Sequence, residues 1–206
     1  MSTQQAGQVK KVGAGSARTA GRPRCEVRHQ SILDATYELL HEAGFAALTI
    51  EGVAERAGVG KTTIYRRWPN KASLVVEAFL AAVAPEIHFP DTGSIREDLR
   101  SQMRRLVRVM NSPRGQIIRS IIAGGQMDEE VAEAFRTNWV EARRVEARPV
   151  IERAIRRGEL RRGLNADLVL DALYGPLYFR LLVRHDPLTR QFAESIFELV
   201  MSGIAA

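Results

Sequence analysis

Apolar residues recur at helical spacing along nearly the whole chain after residue 28. Ile32, Ala35, Thr36, Leu39, Leu40 and Ala43 share one face, and Gly44 follows as a helix-ending C′ residue. Thr49 is placed to cap a second helix, Ile50 to Ala57, and Gly58-Val59-Gly60 makes a turn. A third helix runs from Lys61 to Arg67 and stops before Pro69, because a proline disfavours helical backbone in the residue ahead of it. Asn70 caps a fourth, Lys71 to Ala84, and a loop from Pro85 to Gly93 follows. Ser94 with Glu97 predicts a capping box for a helix ending near Met110. Ser112-Pro113 opens another that ends at Gly124-Gly125. Asp128 starts a long helix to Arg157, kinked at Pro149 and closed by Gly158. Asn165 caps a helix to Arg184, and Thr189 one to Met201. No stretch alternates as a strand does, so the chain reads as all-α with about nine helices.

The first residues break this pattern. Residues 1–24 are rich in Gly, Ala, Ser, Thr and Gln, bury too little to offset ordering entropy, and are expected to be disordered. The division that follows is a basic arm over 1–24, a three-helix unit over 25–71 and a helical bundle over 72–206.

The short second helix, tight turn and third helix have the arrangement of a helix-turn-helix. Ile50, Val53, Val59 and Ile64 are spaced to bury one side of the pair, and Ala54 sits where only a small side chain fits between the helices. That leaves Lys61, Thr62, Thr63, Tyr65, Arg66 and Arg67 on or near the outward face. Hydroxyls and cations of this kind suit phosphates, and long donors suit guanine edges.

Charge agrees with that placement. The chain carries 30 Lys and Arg against 24 Asp and Glu, net +6, and nearly all of the excess lies in residues 1–71. A basic N-terminal third joined to a near-neutral remainder points to a polyanion at one end only. There is no apolar stretch after the first lysines and no run long enough to span a membrane, so a cytoplasmic protein is expected. The single cysteine, Cys25, excludes an intramolecular disulfide, and the four histidines are scattered, so no metal or other cofactor is expected. Enzyme signatures are missing as well: HExxH and GxSxG are absent. Gly60-Lys61-Thr62 lacks the upstream glycine of a phosphate loop and follows a helix instead of a strand.

The run LTIEGVAERAGVGKTTIYRRWPNKASLV over residues 48–75, with AGVGKTTIYRRWPNK as its specific part, resembles the DNA-binding region of TetR-family regulators. The resemblance implies that Lys61 and Thr62 begin a recognition helix that meets base edges in the major groove, with Arg66 one turn on reading a guanine or a phosphate. It implies phosphate contacts for Thr63, Tyr65, Arg67 and Lys71, and for Thr49 at the N-terminus of the second helix. Tyr65 and Thr49 also have structural readings, as a packing residue and a cap, and Trp68 reads as core. Ahead of the first helix, Gly21-Arg22-Pro23-Arg24 resembles the core of an AT-hook, so Arg22 and Arg24 either enter an A·T-rich minor groove or belong to a solvated tail. An architectural DNA binder that uses the arm without an effector is the alternative.

Residues 158–184 resemble a recurrent C-terminal domain of the same family around Tyr174-Gly175-Pro176-Leu177-Tyr178-Phe179-Arg180. The implied arrangement is a homodimer packed through the last two helices, with Leu168, Asp171, Ala172, Gly175, Phe179, Phe192, Ile196 and Leu199 on the interface or in the protomer's own core. The implied effector cavity draws its candidates from the middle helices: Met103, Leu106, Met110, Ile118, Ile122, Met127, Phe135, Trp139, Tyr174 and Tyr178. That set is apolar, so the expected effector is hydrophobic or aromatic, and the expected partner is double-stranded operator DNA.

Overall fold

The computed structural model describes residues 21–206, with side chains from residue 26 on. The expectation of a disordered arm falls outside the described residues over 1–20, whereas Gly21–Arg24, expected to belong to that arm, lie in the first helix; minor-groove contacts from Arg22 and Arg24 and the thiol of Cys25 fall outside the described side chains. Among the described residues there is no strand, only an isolated bridge between Leu160 and Ala205.

The first helix, α1 (Gly21–Ala47), begins ahead of the Arg28 start that the sequence predicts, and its helical path breaks at Gly44 (φ 79°). Then come α2 (Ile50–Ala57), α3 (Lys61–Tyr65) and α4 (Lys71–Ile87). They are followed by α5 (Ile95–Asn111), α6 (Pro113–Gly125) and α7 (Glu129–Phe135). The last three are α8 (Ala142–Arg157), α9 (Ala166–Val183) and α10 (Arg190–Ile204). A π-helical turn, Arg136–Glu141, joins α7 to α8 without interruption, so these three segments form one rod and the described residues make nine rods.

Local chemistry sets the starts. Thr49 accepts from the Gly52 N–H, Asn70 from Ser73, Ser94 from Glu97 and Ser112 from Arg114. Asp128, Asn165 and Thr189 do the same for α7, α9 and α10. Each supplies an acceptor for a first-turn donor that has no partner within its helix. Gly58 (φ 64°) closes α2 in the left-handed conformation, which turns the chain sharply into α3.

Further departures from expectation lie in α4, α3 and the long rod. α4 continues through Pro85 to Ile87 instead of ending at Ala84. α3 ends at Tyr65, and Arg66 and Arg67 form a tightened turn in which the Arg67 N–H reaches Ile64 O at 2.9 Å. This is the three-residue closure that a helix adopts when a proline follows. Along the long rod the departure from α-geometry lies at Arg136–Glu141, and α8 runs through Pro149 as one helical segment.

The core runs unbroken from the three-helix unit into the bundle. Ile64, Leu74, Phe79, Ile87, Leu99, Met103, Ile118 and Phe197 are all buried in it. α4 is the shared element: it packs on α1 and also on α5, α7 and the π-helical turn of the bundle. At about 1.5 Å per residue it spans about 26 Å, long enough to join the two ends mechanically.

Candidate nucleic-acid interface and cavity

At the N-terminal end, Ile50, Val53, Ala54 and Ile64 are buried and Val59 half-buried, which fixes α3 across α2. The opposite side is polar and open. Lys61, Thr62, Arg66 and Arg67 are exposed, Thr63 is half-buried, and Tyr65 is 52% exposed, which places its ring outside the core. Thr49 is exposed with its Oγ1 taken by the Gly52 N–H at 3.1 Å. The structure thus gathers these side chains onto one surface.

Lys71 stands apart from them. Its ammonium donates to Phe45 O at 3.1 Å and Leu48 O at 3.2 Å and lies 4.7 Å from the centre of the Phe45 ring. Phe45 lies past the break at Gly44 in the last turn of α1 and Leu48 just beyond its end, where carbonyls lack partners within the helix. Trp68 is core: it is buried, stacks on His29 with ring centres 5.3 Å apart, and donates Nε1 to Glu77 Oε2 at 2.7 Å. His29 also lies 3.3 Å from Glu77, so the indole, imidazole and carboxylate tie α1, the recognition turn and α4 together.

One neighbour of the basic surface was not anticipated. Glu51, in the first turn of α2, sits 2.9 Å from Lys61 Nζ. The ammonium holds the Glu51 carboxyl below the usual carboxylate range, and Glu51 in turn raises the Lys61 ammonium. Arg56 grips Glu42 at 3.0 Å and Glu38 at 3.3 Å, which braces α2 on α1.

The bundle holds a cavity of about 260 Å³ between the end of α4, α5, the π-helical turn, α8 and α9. Of the ten predicted lining residues, Leu106, Phe135, Trp139, Tyr174 and Tyr178 line it. Met103, Met110 and Ile118 are buried in the surrounding core, and Ile122 packs half-buried against it. Met127 is a plain correction, being 91% exposed. It follows the end of α6 at Gln126, so no helical face carries it inward.

Sequence reasoning missed the polar lining. Gln102 is buried on the apolar face of α5, where a polar residue between Leu99 and Leu106 was the available signal. Its Nε2 donates to Ile87 O at 3.2 Å, and its Oε1 accepts from the Tyr174 hydroxyl. Arg143 donates to the same Ile87 carbonyl, pairs with Glu146 and lies 5.2 Å from the centre of the Phe89 ring. Arg144 pairs with Asp171. On the aromatic side, Trp139 Nε1 donates to the Tyr178 hydroxyl at 2.7 Å. Burial raises the Tyr174 phenol well above its usual range and pushes that of Tyr178 up to about 12, so both stay protonated at neutral pH.

The outer face of α9 carries the remaining predicted set. Leu168 is 67% exposed, Phe179 58%, and Asp171, Ala172 and Gly175 are exposed between them, with Asp171 and Gly175 at the border of this face where they also line the cavity. On α10, Leu199 is 70% exposed, while Phe192 and Ile196 are half-buried. Leu182 and Val183 extend the same stripe on α9. Among the described residues no group of acidic, His and Cys side chains is placed to hold a metal, and no helix is long and apolar enough to cross a membrane.

Comparison with known proteins agrees with this anatomy. Residues 32–78 match the family described as bacterial regulatory proteins, tetR family, and residues 89–200 match the Tetracyclin repressor-like C-terminal domain. The uncharacterized HTH-type transcriptional regulator YdeS of Bacillus subtilis (strain 168) is 39% identical over 186 residues, covering 90% of this chain and 94% of that protein. The DNA-binding transcriptional repressor TetR of Mycobacteroides abscessus is 30% identical over 161 residues, 77% of this chain and 84% of that one. The crystal structure of the TetR family transcription regulator SCO0332 superposes with a TM-score of 0.79 at 34% identity, covering 88% of this chain and all of that one. These relatives are transcriptional regulators and not enzymes, and this chain belongs to the TetR family of DNA-binding transcriptional regulators.

Proposed function

We propose that the chain is a cytoplasmic, homodimeric repressor that reads a palindromic operator and is released from it by a small hydrophobic or aromatic effector. The observation that carries this reading is the capping of α4. Its final carbonyl, on Ile87, is held by Gln102 and Arg143, and all three residues line the cavity. Towards its other end Glu77 ties α4 to Trp68 of the turn after α3, and Lys71 ties it to the end of α1. A ligand that displaces either capping side chain shifts α4 at its bundle end and changes the separation of two recognition helices, which must meet grooves about 34–36 Å apart or a multiple of that. The relative from Mycobacteroides abscessus named as a repressor supports the sign of the regulation.

In this reading Lys61, Thr62 and Arg66 meet base edges. Thr49, Thr63, Tyr65 and Arg67 hold phosphates, and the stripe Leu168, Ala172, Gly175, Phe179 on α9 packs against its copy with Leu199 beside it.

The test is footprinting on genomic fragments, followed by anisotropy titration of the bound duplex with hydrophobic ring compounds. The expected result is a protected inverted repeat and about 5–150-fold weaker binding in the presence of a cavity ligand, the usual size of such coupling. Protection with no sequence preference, governed by A·T content alone, overturns operator reading and favours an architectural binder.

A further inference from the structure

Which chemistry the cavity accepts follows from which of its polar groups are already engaged. Arg143 is engaged by the Ile87 carbonyl, Glu146 and the Phe89 ring, and Arg144 by Asp171 and, at 3.7 Å, Asp167. Both cations are therefore neutralised within the protein. A carboxylate entering the cavity meets cations whose charge is already compensated by neighbouring acids, so it gains little to offset its desolvation, and an ammonium has to compete with the arginines for the same acids. The Tyr174 proton is committed to Gln102 Oε1. The Tyr178 oxygen accepts from Trp139 Nε1, but its own proton goes to no protein acceptor among the described residues. Tyr178 is half-buried on the cavity wall, so this proton is available to an acceptor bound in the cavity.

Resting on the effector reading above, we infer that the cavity takes an uncharged, flat ring compound bearing a hydrogen-bond acceptor, such as an aryl ketone, with that acceptor received by the Tyr178 hydroxyl. The walls fit a flat ring: Phe89, Phe135, Trp139 and the two tyrosines line the space, and the Phe135 and Trp139 rings lie within 16° of parallel. Offset stacking on such faces is favourable. The volume, about 260 Å³, lies just below the usual range for ligand cavities and suits a small bicycle better than a larger ring system. The raised phenol of Tyr178 keeps the donor present throughout the neutral range. The π-helical turn matters here as well, because it carries Trp139 and Val140 to the cavity wall.

The test uses the full chain and three probes of nearly equal shape: 2-acetylnaphthalene, 2-ethylnaphthalene and 2-naphthoate. Dissociation constants are measured by calorimetry, and the carbonyl stretch of the bound ketone by infrared difference spectroscopy. The ketone is expected to bind about tenfold tighter than the hydrocarbon, the worth of one buried hydrogen bond, and the carboxylate weakest of the three. The ketone stretch should fall on binding. In Tyr178→Phe the ketone's advantage and the shift of its stretch should both disappear, while the hydrocarbon still binds. In Tyr174→Phe both should survive, because that proton is committed to Gln102. Retained binding of the hydrocarbon shows that a variant is folded.

The inference fails if ketone and hydrocarbon bind alike, if the carboxylate binds tightest, if Tyr178→Phe leaves the ketone's advantage intact, or if none of the three binds. Operator release is scored separately. Probes that bind alike and still release the operator overturn the acceptor inference and leave the release reading standing. A Tyr178-dependent ketone that leaves operator affinity unchanged does the reverse.

Discussion

Lys61 Nζ and Glu51 Oε1 are 2.9 Å apart, so the first residue of α3, the proposed recognition helix, is paired with an acid of the preceding helix. Both side chains are more than half exposed, which makes the pair weak as a stabiliser. Its consequence is for binding: DNA has to take the ammonium from a carboxylate. Glu51→Gln removes a negative charge from the DNA-facing side and frees Lys61. Affinity for operator and random duplex alike should rise about fivefold at about 0.15 M salt, and the salt slope should steepen by about one. Anisotropy titrations at several salt concentrations measure both. Weaker operator binding by the variant would show instead that Glu51 orients Lys61 in the complex.

Lys71 makes a sharper distinction. Its bonds to Phe45 O and Leu48 O are internal, so Lys71→Met should lower stability by about 1–3 kcal/mol, as expected for losing bonds from a charged group. The salt slope of DNA binding should stay as it is. A slope shallower by about 0.9 would assign Lys71 a phosphate contact after all.

These two residues also show what was legible in the sequence. That the polar side chains of α3 share one outward surface was readable because short-range rules fix it: an N-cap at Thr49, a left-handed Gly58 and an apolar side at Ile50, Val53 and Ile64 leave few places for the remaining side chains. The caps at Asn70, Ser94, Ser112, Asp128, Asn165 and Thr189 are equally local. The inward turn of Lys71 depends on where α1 ends in space, which periodicity does not encode. For the same reason Leu106 and Met103, on the same helix, differ in lining the cavity, and the pairing of Gln102 with Tyr174 joins residues distant in sequence. The π-helical turn at Arg136–Glu141 carries no composition cue; Pro149 gave a cue, but at a point where the helix continues.

Acid should loosen the bundle in a defined way. Arg96, followed by Arg100, lowers the Glu198 carboxyl below its ordinary 4.5, and these bonds join α5 to α10. Because the folded-state value is depressed, the contribution is complete above about pH 4.5 and is lost as pH falls through the depressed value. Glu198→Gln should therefore melt below the wild type at neutral pH, and the gap should close as the buffer is taken towards pH 3. Melting curves across that range check it, and a gap independent of pH would remove Glu198 from the account.

Close approach within the protomer is tested at Gly115. A Cβ there would sit 1.8 Å from the Met110 carbonyl oxygen, a backbone atom that cannot swing aside. Gly115→Ala should cost more than about 3 kcal/mol, since the first turn of α6 must move off the end of α5. Chemical denaturation measures it, and a loss under about 1 kcal/mol would mean that this junction is pliant.

Gly175 separates the protomer from the proposed dimer, because the two respond to one methyl group with opposite sign. Within the protomer a Cβ at Gly175 meets nothing within 4 Å, and the residue is exposed in mid-helix between Ala172 and Phe179. Gly175→Ala should stabilise the isolated fold by about 0.5–1 kcal/mol through helix propensity. If the α9 stripe meets its own copy at this small-residue position, the same methyl overpacks the crossing and costs association about 1–3 kcal/mol, or about 5- to 150-fold in dissociation constant. Sedimentation equilibrium reports the association, and melts at a concentration low enough to leave monomer report the fold. Leu199→Asp is the companion variant, placing a charge on the exposed neighbouring patch of α10 without touching the core. Raised monomer stability with weakened association in Gly175→Ala, and loss of association in Leu199→Asp, locate the interface on this face. Association unchanged in both variants would move it elsewhere on the molecule and leave the exposed stripe of α9 and α10 without an occupant.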